Sequence, residues 1–382
     1  MQKRDAPPLD RWFDRVFGDA EGSSFGTGWM SGTASVFFGS LAILGVIAFW
    51  FPGVLTTAAF RSQYPVGLLR VLIEVVIGLA FLFGALSLML RRRKVLGLTG
   101  LTLAISAMLA GGGSVPVESD FAQRYTIGLD WFLLNVLLLA LVFVPLERAF
   151  CRLREQTTFR VGWTTDGMHL LVSHLAVQGL IFMTLLPAST LASFWQPLEL
   201  QGIIRGQPVW LQFLEIVLVA DFSQYWIHRA FHRVHWLWRF HAVHHSSRML
   251  DWLAGSRLHL VDVIATRGLV MIPVFMLGFA QTALYAYLVF VSFHAMFIHA
   301  NVRFRFGWLD WAIATPRGHH WHHAVEPVDV NFAVHLPLLD WLFGTQYLPG
   351  DKWPGAYGVS GHALPEGWGS QFVYPFRSEE RL

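Results

Sequence analysis

The sequence is poor in cysteine and in charge, and both shortages limit what the protein can be. A single cysteine, Cys151, excludes an intramolecular disulfide framework and any zinc or iron–sulfur site built on several thiolates. Charged residues make up 14% of the 382 residues, against about 25% in soluble domains, while 54% are hydrophobic. The net charge is small, +3, and the basic residues form no stripe with interleaved aromatics. The sequence therefore lacks the pattern of a nucleic-acid-binding protein, and no nucleic-acid partner is predicted. This composition predicts an all-α integral membrane protein.

Long apolar runs predict that the chain crosses the membrane many times. A helix needs about 20 apolar residues to span a bilayer. We predict six single spans and then a helical hairpin over 262–300, which turns near Gly278 and Gln281. The six spans lie at about 30–52, 66–90, 95–113, 128–147, 168–195 and 209–227.

Basic residues alternate between the loops, and this predicts the orientation and the domains. Lys and Arg are frequent before the first span, in "RRRK" at 91–94 and after the fourth span, whereas the alternate loops hold one arginine each. Because cytoplasmic loops are enriched in Lys and Arg, the N-terminus and the chain beyond the sixth span are predicted to be cytoplasmic. "DRWFDRVFG" near the start is open between an interfacial helix and a plain tail. The predicted domains are a cytoplasmic tail (1–28), about five transmembrane helices (29–200), a histidine-rich domain (201–350) and a C-terminal tail (351–382).

Histidine is concentrated in two short stretches, "HRAFHRVHWLWRFHAVHH" at 228–245 and "HHWHH" at 319–323. The spacings H-x-x-x-H and H-x-x-H-H place imidazoles on one face of a helix. Eight imidazoles on three such faces supply enough nitrogen for two transition-metal ions, and imidazole suits zinc, copper, iron and nickel. The eight are His228, His232, His241, His244, His245, His319, His322 and His323.

Three longer motifs resemble the histidine boxes of the fatty acid hydroxylase/sterol desaturase superfamily. They are "DFSQYWIHRAFH", "FHAVHHSS" and "TPRGHHWHH…DVNF…LDWLFGT", and the match covers about 209–348. The pattern is similar to that of bacterial sterol-desaturase-like proteins and of alkylglycerol monooxygenase. The resemblance implies a membrane-embedded di-iron centre, with zinc as a substitute metal in isolated protein, that uses O2 to hydroxylate or desaturate a C–H bond of a lipid. The basic loops predict that this centre lies on the cytoplasmic side. It also implies membrane lipids as surroundings, a separate redox partner (a ferredoxin, a cytochrome b5-like protein or a reductase) and a bacterial inner-membrane location.

The resemblance also implies roles for single residues. The eight box histidines become catalytic metal ligands, and "FIHAN" implies His299 as a ninth. His294 is a further candidate, and His259 is open between a ligand, a partner of a ligand and a structural residue, because Leu260 stands where relatives often have proline. His235 and His320 fall outside the spacing. Residues that could hold the ligand histidines, or act only as cap or loop residues, are Asp221, Asp329, Asn331 and Asp340.

Two other functions remain open from the residues alone. A zinc-dependent lipid hydrolase would use the same ligand type, although catalytic zinc usually has three protein ligands. A membrane metal or haem carrier is the other alternative, although haem needs only one or two axial histidines. Consumption of O2 with a lipid would separate the oxygenase from both.

Overall fold

The structure, a computed structural model, describes residues 7–18, 26–56, 65–117, 129–179, 188–191, 193–194, 198–361 and 364–377. Helices and turns make up these residues, and no β-strand occurs among them, which confirms the all-α prediction. The chain divides into two compact units. The first unit is Pro8–Arg160, and the second is residues 1–7 with Val161–Leu382.

The first unit is a bundle of apolar helices. Small residues let these helices approach closely: a Cβ at Gly100 would lie 2.0 Å from the hydroxyl of Ser35, which donates to the carbonyl of Ala80 at 2.7 Å. Packing through small residues is typical of helices in lipid, where burial of apolar surface drives little association. The helices are α1 (Pro8–Phe17), α2 (Trp29–Trp50), α3 (Pro52–Leu55), α4 (Val66–Leu90), α5 (Val95–Leu109) and α6 (Leu129–Ala149).

The second unit carries all the candidate site residues. Its long helix α9 packs against α11 and α12 around a core that includes Ile216, Val270 and Tyr287. The helices are α7 (Trp163–Gly179), α8 (Leu198–Gly206), α9 (Val209–Arg233), α10 (His235–His245), α11 (Leu260–Leu277), α12 (Gln281–His299), α13 (Leu309–Ala312), α14 (Pro316–His322), α15 (Pro337–Leu342) and α16 (Trp368–Val373).

The predicted hairpin over 262–300 is confirmed as two helices. Gly278 ends α11 in the left-handed conformation with φ 68°, which glycine adopts without the clash that a Cβ would cause. The amide of Ala280 then donates to the side-chain oxygen of Gln212 on α9 at 2.8 Å. The turn is therefore fixed by a contact to α9 as well as by its own glycine.

Within the described ranges, six helices are long and apolar enough to cross a membrane. Five of the predicted segments correspond to them, since 262–300 supplies two and 30–52, 66–90, 95–113 and 128–147 supply four. The predicted spans at 168–195 and 209–227 are not among the six. α9 is long enough, but polar residues that include Gln212, Glu215 and Asp221 lower its hydropathy. Residues 180–187, within the first of these two predictions, lie outside the described part of the chain.

The two predicted tails include ordered helices. Residues 8–17 form α1 inside the first unit, so the helical alternative for "DRWFDRVFG" is the one observed. In the predicted C-terminal tail, Tyr374 packs against Ala242 and Val243 of α10. The division between the compact units falls after Arg160, whereas the functional boundary between 200 and 201 stays a prediction.

Candidate metal centre

Four helices bring nine histidines into the interior of the second unit. α9 carries His228 and His232 one turn apart, and α10 ends with the second box. α12 ends at His299. Pro316, whose ring suits the first position of a helix, begins the short α14 that holds the third box. These helix ends meet, and the nine imidazoles are buried or nearly so.

The nine histidines fall into two groups. Within each group, one ring nitrogen from every histidine lies within 4.8 Å of those from the others. We call the larger set the five-histidine group; it consists of His228, His232, His241, His245 and His322. The four-histidine group consists of His244, His299, His319 and His323. The structure thus brings together all eight box histidines and His299.

Hydrogen bonds in the five-histidine group leave unprotonated imidazole nitrogens pointing into the group. Nδ1 of His228 lies 2.8 Å from the carbonyl of Phe332, and Nδ1 of His241 lies 2.7 Å from a carboxylate oxygen of Asp262. Because these oxygens accept, both Nδ1 atoms carry the proton and both Nε2 atoms carry a lone pair. The two Nε2 atoms are 3.0 Å apart. Two lone pairs at this distance repel each other unless a cation lies beside them.

The four-histidine group repeats this arrangement. Nδ1 of His244 lies 3.1 Å from the carbonyl of Arg257, and Nδ1 of His299 lies 2.7 Å from that of Ala295. Nε2 of His299 is then 3.3 Å from Nε2 of His244, and it is 3.1 Å from Nε2 of His319 and of His323. The nitrogens converge on one point, as metal ligands do.

Burial keeps the imidazoles in the form that binds metal. Loss of hydration, followed by the neighbouring histidines, lowers the pKa of His228 from 6.5 to about 3. The same two causes hold the pKa values of six others well below 6.5, namely His232, His244, His245, His319, His322 and His323. Neutral imidazole is the metal-binding form, so folding prepares the ligands.

Buried nitrogens without a protein partner complete the fit to a metal. Nε2 of His232, of His245 and of His322 has no hydrogen-bond partner among the described residues, although each atom is buried. Unpaired buried polar atoms are uncommon in native proteins and require an explanation. Coordination of a cation would satisfy all three, and the all-nitrogen donor set suits a transition metal.

Among the four residues predicted to hold ligands, only Asp329 contacts one directly. Its carboxylate lies 3.3 Å from Nδ1 of His232. Asp221 instead accepts from the backbone amides of residues 334–336, at 2.6 to 3.1 Å. Asp340 accepts from the amide of Phe332, the residue whose carbonyl holds His228, and Asn331 bridges Gly318 and Tyr347. Three of the four therefore shape the loops around the third box.

Sequence reasoning missed Asp262, the buried carboxylate on His241. The available signal is that it is an acidic residue inside α11, whose other residues are almost all apolar. Ionisable residues in such helices are costly and usually functional. The hydroxyl of Thr266 donates to the second oxygen of Asp262 at 3.0 Å and fixes its orientation.

His259 and His294 lie outside both groups. Nδ1 of His259 accepts from the amide of Val261 at 3.1 Å, which caps α11, and its Nε2 lies 3.0 Å from the carbonyl of Phe372. His294 lies 2.9 Å from His335 and 3.0 Å from the carbonyl of Ala314. Both nitrogens of each ring are engaged in these contacts, so the structure does not offer either residue as a ligand.

The two histidines that fall outside the box spacing are also outside the groups. His320 lies 2.8 Å from the hydroxyl of Tyr357 and 3.2 Å from the carbonyl of His299. His235 is exposed at the start of α10. The spacing therefore separates the grouped histidines from their neighbours in the same stretch.

Comparison with known proteins identifies similar enzymes. A family model described as fatty acid hydroxylase matches residues 213–345. "Ornithine lipid hydroxylase OlsE" of Rhizobium tropici is 30% identical over 275 residues, which are 68% of this chain and 80% of that protein. "Alkylglycerol monooxygenase" of Homo sapiens is 31% identical over 131 residues, which are 34% of this chain and 29% of that protein. No solved structure matches the chain.

Proposed function

The chain belongs to the fatty acid hydroxylase family, an oxidoreductase family with lipid hydroxylases and monooxygenases among its members, and from this premise we propose that it is a di-iron oxygenase of a membrane lipid. The observation that carries the proposal is the pair of histidine groups. In each group, Nδ1 atoms donate to oxygen acceptors and the Nε2 atoms lie close to one another. Each group would hold one iron. Iron held in this way would activate O2 and supply the oxidant that attacks a C–H bond.

The protein's own residues orient the ligands and exclude water. Asp262 and the carbonyls of residues 257, 295, 330 and 332 fix the imidazole planes through Nδ1. The burial of all nine rings leaves the centre dry, which favours oxidative chemistry over loss of the oxidant to solvent. Five and four histidines also exceed the three protein ligands usual for catalytic zinc, which supports iron over a zinc hydrolase.

We propose a lipid substrate that stays in the bilayer and a redox partner on the cytoplasmic side. The names of the two relatives, which refer to an ornithine lipid and to alkylglycerol, support a polar lipid with long apolar chains. The loop arginines and lysines support a cytoplasmic N-terminus. An even number of spans before the histidines keeps them on that side, whether α7 and α9 both cross the membrane or neither crosses. A ferredoxin, a cytochrome b5-like protein or a reductase would supply the electrons.

The test combines metal analysis with lipid analysis. Protein from iron-supplemented cells should hold about one iron per histidine group, coupled to each other in the Mössbauer spectrum. Lipids from cells that express the protein under isotopically labelled O2 should gain one labelled oxygen, and cells expressing His244→Ala should lack this product. A protein that binds one haem or no metal, or lipids that are hydrolysed without O2, would contradict the proposal.

A further inference from the structure

Two short helices beside the third histidine box share the tripeptide Leu-Asp-Trp. It occupies 309–311 in α13 and 339–341 in α15, and the two helices contact each other. The aspartate is buried in both helices, whereas Trp311 and Trp341 are 55% and 63% exposed. We call the exposed large apolar residues of this helix pair, together with the residue before α13, the tryptophan platform; they are Trp308, Leu309, Trp311, Leu338, Trp341 and Leu342.

The composition of the platform suits the membrane–water interface. Tryptophan is enriched there because its ring is apolar and its N–H remains able to bond to water or headgroups. α13 and α15 have four and six residues, which is far too short to cross a bilayer. Arg303 and Arg305, both exposed, directly precede the platform. Arg305 pairs with the exposed Asp351 at 2.9 Å, so Arg303 supplies the cation that attracts anionic lipid headgroups at this depth.

The platform is also continuous with a candidate membrane helix. The apolar helix α12 ends at His299, and residues 300–308 lead directly into α13. His294 of α12 lies 3.0 Å from the carbonyl of Ala314, just beyond α13. On the other side, Asp221 of α9 holds the amides of residues 334–336, which directly precede α15. The region around α13 is therefore tied to the end of the membrane hairpin, and the start of α15 is tied to α9.

The buried aspartates connect the platform to the histidines. Asp310 accepts from the hydroxyl of Thr315 at 2.7 Å and from the guanidinium of Arg317 at 2.6 Å, and these residues flank the start of α14. Asp340 accepts from the amide of Phe332 at 2.7 Å, and the carbonyl of Phe332 holds His228. A narrow cavity of about 20 Å³ lies between α13, α14 and α15 and reaches His319.

We propose that the tryptophan platform docks into the interfacial layer of the bilayer and holds the third histidine box at the membrane surface. The occupant of this surface is lipid, and the exposed Arg303 selects anionic headgroups. The docking itself is independent of the proposed oxygenase activity, whereas its effect on substrate delivery rests on that activity.

Single cysteines measure the depth of the platform. In a Cys151→Ser background, Trp311→Cys and Leu342→Cys place a fluorescent label on each platform helix, and Val328→Cys provides a matched control at an apolar residue that is 59% exposed but follows the third box. The labelled full chain is reconstituted in phosphatidylcholine–phosphatidylglycerol vesicles. Labels on the platform should lose fluorescence to lipids that carry a nitroxide near the headgroup and keep it with aqueous iodide. The control should show the reverse.

Two results would overturn the docking. Labels on the platform that respond to iodide as the control does would show a water-exposed surface. Labels shielded from both quenchers would show a protein contact, with a second copy or a partner. Leu338→Cys repeats the α15 measurement if Leu342→Cys does not fold, and an unchanged metal content shows that the histidine groups are intact. None of these readouts needs turnover, so they stand even if the proposed function fails.

Delivery of substrate is tested by a second arm. The double variant Trp311→Ser, Trp341→Ser should raise KM for lipid in vesicles severalfold and leave kcat unchanged, because the chemistry at the histidines is untouched. Val328→Ser should change neither constant. A fall in kcat with unchanged KM would mean that the platform acts on the metal centre rather than on access, and that result would contradict delivery from the platform.

Discussion

The two histidine groups are built on the same helices but are supported differently. Adjacent residues of α10, His244 and His245, belong to different groups, so the two share one rigid element. Among the described residues, the carboxylates that pair with a grouped histidine are Asp262 on His241 and Asp329 on His232, both in the five-histidine group. The hydrogen bonds of the four-histidine group run to carbonyls, and Nδ1 of His319 and of His323 has no partner among the described residues.

This difference predicts that one group binds its metal tightly and that the other leaves its metal open to further ligands. A carboxylate on the far nitrogen of an imidazole raises the donor strength of the near nitrogen, and five ligands leave little room for a further one. Four neutral ligands leave more of the coordination sphere open, as catalytic sites require. We therefore expect the five-histidine group to bind its metal more tightly and the four-histidine group to bind exogenous ligands.

Replacing either of the two adjacent histidines, His244 or His245, by alanine gives the largest expected effect. His244→Ala and His245→Ala should each abolish turnover and remove about one of the two metals, because each removes a ligand from a different group. His245→Ala should leave the metal that still binds azide, and His244→Ala should leave the one that does not. Metal analysis and azide titration of the purified variants measure this. His235→Ala, an exposed residue outside both groups, is the control. Equal azide binding in both variants would remove the distinction between the groups.

Removal of the buried carboxylate gives the next effect. Asp262→Asn keeps the shape but loses the charge on His241, and loss of such a partner typically weakens metal binding by about 10- to 100-fold. Chelator competition should show this loss at one metal per chain. Asp221→Asn is the matched control, since the described partners of this buried carboxylate are all backbone amides. It should lower thermal stability without a selective loss of one metal.

The local part of the site is predictable from sequence, whereas the distinction between the groups is not. Histidines spaced i, i+3 and i+4 share a helix face, and "FIHAN" identifies His299. The partner of His241 lies on another helix, so only packing of α10 against α11 reveals Asp262. Sequence likewise leaves His259 open between a ligand, a partner of a ligand and a structural residue, and only the structure shows that both of its nitrogens are bound elsewhere.

The fold shows the same limit at larger scale. Apolar length predicted the helices of the first unit and the hairpin, because lipid-facing helices are uniformly hydrophobic. α9 mixes apolar residues with buried polar ones, and its Gln212 and Asp221 serve contacts that are distant in sequence. The predicted C-terminal tail packs on α10 through Tyr374, a contact that only the tertiary structure supplies.

Acid should affect both groups alike, since burial lowers the pKa of histidines in each. Between about pH 7 and pH 5, histidines of the unfolded chain take up protons near pH 6.5, while those in the folded protein remain neutral. Because the unfolded state then binds more protons, the free energy of unfolding decreases as the pH is lowered. The Tm of the metal-free protein in detergent should therefore fall steeply on acidification. A constant or rising Tm would mean that the folded imidazoles are already protonated.

The smallest expected effect comes from the second carboxylate. Asp329 is 27% exposed against 5% for Asp262, it lies 3.3 Å from His232 rather than 2.7 Å from its histidine, and it is shared with Arg233. Solvent screens an interaction of this kind, so Asp329→Asn should weaken the same metal as Asp262→Asn, but only a few fold. Chelator competition on the single and double variants measures both losses. If Asp329→Asn instead weakened the metal of the four-histidine group, or exceeded Asp262→Asn, burial would not be what ranks the two carboxylates.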